Sequence, residues 1–281
     1  MRGNLWVKIS ILLTLWFVVF YPLYPKLIGA WIYDSDNSHG ILVPLISLYM
    51  IYHKRDNLRS IEISNSGWGA IILIISMGIY CLSFVGEVLF ISRSMIIFSL
   101  IGVVLYNLGK GFLKELAFPL LFLLFMIPVP ESIQGLVAFP LQLFVTKISA
   151  YALQLLSIPA YREGNMIYFA ETQLEIAEAC SGIRSIVSLT LLGVVLAYFS
   201  DKGVARKAVM IASAIPLALC ANAMRVFGTG IIAHLYGAKY ARGFLHEFSG
   251  IAIFFLGFIL MFLEYLLVNR PGKKQTQHGK Q

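Results

Sequence analysis

The apolar residues of this chain come in blocks of roughly 15–25, separated by short polar loops, and that spacing leaves few folds open to it. A block of that length cannot be hidden inside a small soluble domain. It matches the thickness of a bilayer, where every backbone N–H and C=O must be satisfied within the segment itself. Hydrophobic residues make up 59% of the chain and charged residues only 13%. A soluble domain carries about 25% charged residues, so a soluble globular enzyme is excluded, and a disordered chain with it. The sequence therefore reads as an all-α integral membrane protein.

The candidate spans are Leu5–Tyr24, Gly40–His53, Gly67–Val85, Val88–Leu108, Leu116–Pro128, Ile183–Ser200, Ala208–Tyr236 and Phe248–Val268. The first is too long for a signal-peptide core and has no small-residue cleavage site, so it counts as a span. Ser132–Ile158 is apolar as well. Pro130, Pro140 and Pro159 are expected to break it, and Gln134, Gln142, Lys147 and Gln154 are spread along it. It reads as an interfacial or re-entrant segment. The expected fold is about eight transmembrane helices forming one domain over 1–268, followed by a short basic cytoplasmic tail, 269–281.

The net charge of +8 could suggest nucleic acid, but the 22 Lys and Arg are scattered through loops with no basic stripe interleaved with aromatics. No nucleic-acid partner is expected. Cytoplasmic loops of membrane proteins carry such an excess. With eight spans and both ends inside, the inner segments and Lys8 at the inner end of the first span hold fourteen of the 22, among them Lys54, Arg55, Arg59, Lys110, Lys114, Lys202, Arg206 and Lys207. A ninth crossing at Ser132–Ile158 would move the basic loop Asp201–Lys207 and the tail to the outer side. Eight is the better count.

This sidedness gathers an unusual set of residues on the outer face. The loop Gly29–Gly40 holds Asp34, Asp36 and His39. The long segment Tyr161–Cys180 partly alternates apolar and polar residues over Asn165–Phe169 and Gln173–Ala177, as a small strand pair does. Cys180 lies at the mouth of the sixth span. Arg225 lies about 17 residues into the seventh, roughly 25 Å across the bilayer at 1.5 Å per residue. His246 opens the eighth. A thiol beside a helix start and a cation has a lowered pKa, and the free N–H groups there can receive an oxyanion. A nearby histidine can move the thiol proton to a leaving amine.

Each residue also has a simpler role when taken alone. Cysteines in membrane proteins are ordinarily small apolar filler, the reading for Cys81 and Cys220. With Cys180 the three show no CxxC spacing, which points to neither a disulfide framework nor a zinc site. An arginine can snorkel, and a histidine can cap a helix. His234, near the outer end of the seventh span, competes weakly with His246.

Five stretches together resemble the exosortases, a group of multi-pass membrane cysteine transpeptidases. Ser38-His39-Gly40 with Pro44 resembles that family's SHG…P signature. Pro119 to Pro130 resembles its P-x-x-F-L-x-F-x-I-P-x-P segment. Glu178-Ala179-Cys180-Ser181-Gly182-Ile183-Arg184-Ser185 matches its cysteine motif, Asn222-Ala223-Met224-Arg225 its N-x-x-R, and His246-Glu247-Phe248-Ser249-Gly250 its H-x-F-x-G. The resemblance implies catalytic Cys180, Arg225 and His246, with Asn222, Glu178, Ser181, Gly182, Arg184 and His39 in support and no cofactor. It further implies an inner-membrane enzyme with its active site on the periplasmic face. Its substrates would be proteins bearing C-terminal PEP-CTERM sorting signals, passed to an envelope or exopolysaccharide-linked acceptor.

Two readings from other classes compete. Asp34 and Asp36 resemble the acidic pairs that hold a metal in some lipid-linked sugar transferases, although a metal needs more oxygen ligands than these two. A transporter or assembly scaffold would be expected to show repeat symmetry or paired half-helices, and the sequence has neither.

Overall fold

The computed structural model describes residues 2–176, 182–237 and 244–270. The chain divides into two compact units, residues 1–130 and 131–281. Among the described residues, five stretches are long and apolar enough to cross a membrane: Val7–Tyr33, Gly67–Val85, Leu89–Asn107, Glu131–Leu155 and Val204–Tyr236. Shorter apolar helices cover Ile183–Phe199 and Phe254–Val268. The molecule is a multi-pass, overwhelmingly helical membrane protein. Residues 271–281, most of the expected tail, lie outside the described residues.

In the first unit, α1 (Arg2–Phe20) runs through a 3-10 turn into α2 (Tyr24–Tyr33). The helix therefore continues past Gly29, where a loop was expected. A 3-10 turn over Ser38–Ile41 leads into α3 (Leu42–His53), followed by the short α4 (Arg55–Ser60). Next come α5 (Gly67–Val85), α6 (Leu89–Asn107) and α7 (Lys110–Phe122). Helices α5 and α6 meet through small residues. A Cβ at Gly69 would lie 2.3 Å from the Tyr106 backbone nitrogen, and one at Gly102 would lie 2.9 Å from that of Leu73. Small residues let backbones approach closely where lipid supplies no hydrophobic drive. Helix α1 joins this pair by polar contacts, Trp16 Nε1 donating to Ser99 Oγ at 2.8 Å and the Tyr80 hydroxyl to the Val19 carbonyl at 3.1 Å.

Helix α7 begins at Lys110, six residues before the expected span, because residues before Leu116 also pack as helix. Its Pro119 has no N–H, so the Glu115 carbonyl lacks its usual helical donor. Lys54 fills the gap: its Nζ donates to that carbonyl at 3.1 Å and pairs with the Glu115 carboxylate at 2.9 Å. Ser47 donates to the Pro119 carbonyl at 2.8 Å, fastening α3 to α7.

The second unit opens with α8 (Glu131–Leu155), then β1 (Tyr161–Glu163), β2 (Met166–Tyr168) and β3 (Gln173–Glu175). It closes with α9 (Ile183–Phe199), α10 (Val204–Tyr236) and α11 (Phe244–Val268). Two strand-like stretches were expected here, but the structure has three antiparallel strands in the order β1-β2-β3, paired Arg162 with Ile167 and Ile167 with Leu174. Tyr161–Glu163 is too short to show alternation, so only its partner reveals it. Helix α8 is also continuous through Pro140, where a break was expected. Its polar residues make internal contacts, as Gln154 Nε2 donates to the Ala160 carbonyl at 2.7 Å and Ser149 to the Ala223 carbonyl at 3.2 Å. One lost helical bond is tolerated when tertiary partners hold the helix beyond it.

The sheet packs Ile167, Phe169 and Leu174 against Val145 and Leu153 of α8 and Val226 and Ala233 of α10. A second core joins α9, α10 and α11 through Leu189, Ala214, Ala218 and Met261. The three helices that follow or carry the Cys, Arg and His motifs are thus held as one bundle.

Candidate functional site

The expected nucleophile Cys180 falls with Glu178 and Ser181 in residues 177–181, outside the described residues. Both flanks of that segment are described. On the leading side, the chain leaves β3 at Ile176, whose side chain is buried. The Ile176 N–H donates to the Asn165 carbonyl at 3.0 Å. Its own carbonyl accepts from Gln142 Nε2 and, at 3.3 Å, from Asn165 Nδ2. Gln142 is buried in α8. The sequence offered a faint sign of it, a glutamine in an apolar helix, and that sign pointed to an interface instead. Its role is to fix where the chain enters the cysteine segment.

On the trailing side, Gly182 caps α9 in the left-handed conformation, φ +84°. Glycine adopts this without the clash that a Cβ creates. Gly182 also lies against Asn222 of α10: a Cβ here would be 3.0 Å from Nδ2 and 3.1 Å from Cγ. Asn222 is 2% exposed and cannot swing away. The structure therefore brings the glycine of the cysteine motif onto the start of the N-x-x-R motif. Arg225, one helical turn beyond Asn222, is half-buried, and its carbonyl accepts from Thr229 Oγ1 at 2.8 Å.

His246 is the third residue of α11, and α11 packs on α9 and α10 through the Leu189–Met261 core. His234 is exposed and stacks near Phe169 with ring centroids 5.9 Å apart. It lies nine residues beyond Arg225, roughly 14 Å along the helix at 1.5 Å per residue, and belongs with the sheet. Arg184, in the first turn of α9, is exposed.

His39 belongs to the first unit. The glycine beside it, Gly40, lies under the Trp31 ring, 2.3 Å from where its Cβ would be. Trp31 Nε1 donates to the Met126 carbonyl at 2.8 Å, and the His39 ring hydrogen-bonds the backbone of Phe125 and Asp36. The SHG signature and the Pro119–Pro130 segment, far apart in sequence, are thus packed together. Burial holds the His39 pKa below its ordinary value, outweighing the two backbone acceptors. Asp34 accepts from the Asp36 N–H at 2.9 Å and from Asn37 Nδ2 at 2.6 Å, one bond to each carboxylate oxygen. Both oxygens thus serve the loop itself.

Arg93 is one of the eight Lys and Arg outside the fourteen assigned to the inner side, and the sequence does not single it out. It lies in α6, 8% exposed, and its Nε has no hydrogen-bond partner among the described residues. A cation inside a membrane helix was the available sign.

A family model described as the transmembrane exosortase matches residues 31–263, most of the chain's 281. The chain belongs to the transmembrane exosortase family. The matched stretch runs from Trp31, on the SHG contact, into α11, and so includes every motif discussed above. No curated protein and no solved structure shows a match to it. Family membership carries a membrane transpeptidase or protease-type role on protein substrates with sorting signals.

Proposed function

We propose that this exosortase is a cysteine transpeptidase with Cys180, Arg225 and His246 as its catalytic residues. The observation that carries the reading is the seating of Gly182 on Asn222, which ties the cysteine motif to the arginine motif in a chain of this family. His246 takes the Cys180 proton. The thiolate attacks the scissile carbonyl, and Arg225 offsets the negative charge that develops on oxygen. When the tetrahedral intermediate collapses, the peptide C–N bond breaks and His246 returns the proton to the leaving amine. An acyl-thioester remains on Cys180 until an acceptor nucleophile resolves it and the thiol leaves. Excluding bulk water from this step favours transfer over hydrolysis.

The substrates in this reading are proteins with PEP-CTERM-type C-terminal signals, the acceptor is envelope- or exopolysaccharide-linked, and the site faces the outer side of the inner membrane. The chain acts as one domain over 1–268 with a basic tail. The distribution of Lys and Arg supports this sidedness with α8 lying at the interface rather than crossing. Glu178, Ser181, Gly182 and Arg184 shape the cysteine loop, Asn222 positions Arg225, and His39 steadies the SHG contact. The sugar-transferase alternative is weakened by Asp34, whose carboxylate already organises its own loop.

The test is Cys180→Ala and Cys180→Ser in cells co-expressing a PEP-CTERM protein. Processing of the C-terminus is expected to stop in both while the enzyme stays in the membrane at its normal level. Unchanged processing would overturn the reading.

A further inference from the structure

The end of the first unit where α4 lies and α6 hands over to α7 collects Lys54, Arg55, Arg59, Lys110 and Lys114, and the positive-inside rule makes this the cytoplasmic end. A pocket of about 500 Å³ opens there between Trp68 of α5, Leu105 of α6 and Lys110, Leu113, Lys114 and Ala117 of α7. That is room for a lipid headgroup with the first part of its acyl chains. We propose that this pocket binds the phosphate headgroup of an anionic glycerophospholipid from the cytoplasmic leaflet.

Three observations select that occupant. The four α7 residues follow one another at helical spacing on one face, so the lining is ordered by depth. Lys110 stands at the helix start, Leu113 and Lys114 follow about one turn on, and Ala117 lies a turn further in, with buried Leu105 of α6 beside them. Two lysines within the first turns, with apolar surface beside and beyond them, match the mixed polarity of a phospholipid at the membrane boundary. Trp68, 64% exposed, supplies the aromatic ring usual at that depth.

The charges point the same way. Lys110 and Lys114 have no ion pair among the described residues. Glu115 is taken by Lys54, Asp56 lies beside Arg55 and Arg59, and Glu62 pairs with neither lysine. The first turn of α7 contains no acid. Lys110 therefore sits at the positive end of a helix dipole with Lys114 one turn further on, an arrangement that a bound anion stabilises. Basic pockets between transmembrane helices on the cytoplasmic side have the chemistry to hold acidic headgroups. Zwitterionic headgroups carry their own ammonium and would meet like charge.

The experiment is native mass spectrometry of the detergent-purified full chain, titrated with dioleoyl phosphatidylglycerol or dioleoyl phosphatidylcholine. The wild type should retain the anionic lipid at least tenfold better than the zwitterionic one. Lys110→Gln/Lys114→Gln should abolish that preference, and Lys110→Arg/Lys114→Arg should keep it. Arg55→Gln/Arg59→Gln, which removes two charges from the same end outside the pocket, should also keep it. Retention by the glutamine pair at the wild-type level, or equal loss in the two glutamine variants, would overturn the proposal. If the glutamine pair is not recovered folded, brominated phosphatidylglycerol decides. It should quench a part of the tryptophan emission that Trp68→Phe removes, while brominated phosphatidylcholine should not. Equal quenching by the two lipids would count against the site.

Discussion

Replacing Gly182 by alanine tests whether the cysteine segment is fastened to α10 as the structure has it. At φ +84° an L-residue pays about 1–2 kcal/mol for the left-handed conformation. The new methyl would also meet Asn222 at 3.0, 3.1 and 3.2 Å, a few tenths of an ångström inside ordinary contact, against a side chain with no room to retreat. Together these cost about 2–3 kcal/mol, within the usual range for strained or overpacked sites. Part of that is relieved if the loop shifts, and a shift of about 1 Å at a reacting group costs roughly a hundredfold in rate. Gly182→Ala should therefore reach the membrane, melt at lower temperature in detergent and process a sorting-signal protein about ten- to a hundredfold more slowly. Trimming the partner separates the two contributions. In Gly182→Ala/Asn222→Ala the contacts at 3.0 and 3.1 Å vanish, so the double variant should lose less stability than the two single losses summed, the mark of residues in contact. Strict additivity in thermal denaturation, or a Gly182→Ala protein with wild-type melting and processing, would refute the packing argument.

Gln142→Leu leaves the Ile176 carbonyl with Asn165 alone. It should cost about 1–2 kcal/mol in thermal stability and slow processing several-fold, while Gln142→Met, which has no donor, should behave alike. Wild-type processing in both would remove Gln142 from the positioning of the cysteine segment. For His39 the sign follows from burial. Its folded pKa lies below the unfolded value of about 6.5, so the unfolded state binds protons first. The stability it contributes is intact above that value and is lost as pH falls through the folded pKa. Melting temperature should drop from pH 7.5 to pH 5 in the wild type and drop less in His39→Gln. An identical pH slope in the two proteins would contradict the assignment.

Much of the fold was legible because bilayer thickness imposes a length on every crossing segment. Gly67–Val85 was read to the residue, and Val88–Leu108 within one residue at each end, since apolar runs of that length bounded by polar loops have few alternatives. The reading failed where local rules met tertiary partners. Proline was expected to break Ser132–Ile158, yet α8 passes through Pro140 because Gln142, Ser149 and Gln154 hold it from other elements. The strand Tyr161–Glu163 was invisible because three residues carry no period. The family, and with it the class of chemistry, was legible from motifs alone, since motif order survives in the sequence however the chain folds.

Contacts between those motifs are another matter. That Gly182 lies on Asn222, that Gln142 clamps Ile176, and that Trp31 covers Gly40 while bonding Met126 are facts of three-dimensional approach. The sequence by itself determined that this is a helical membrane protein of the exosortase type, because hydrophobic length and motif order are one-dimensional properties. Only the tertiary structure decided which side chains hold the entry and exit of the cysteine segment, because close packing depends on where helices distant in the chain touch.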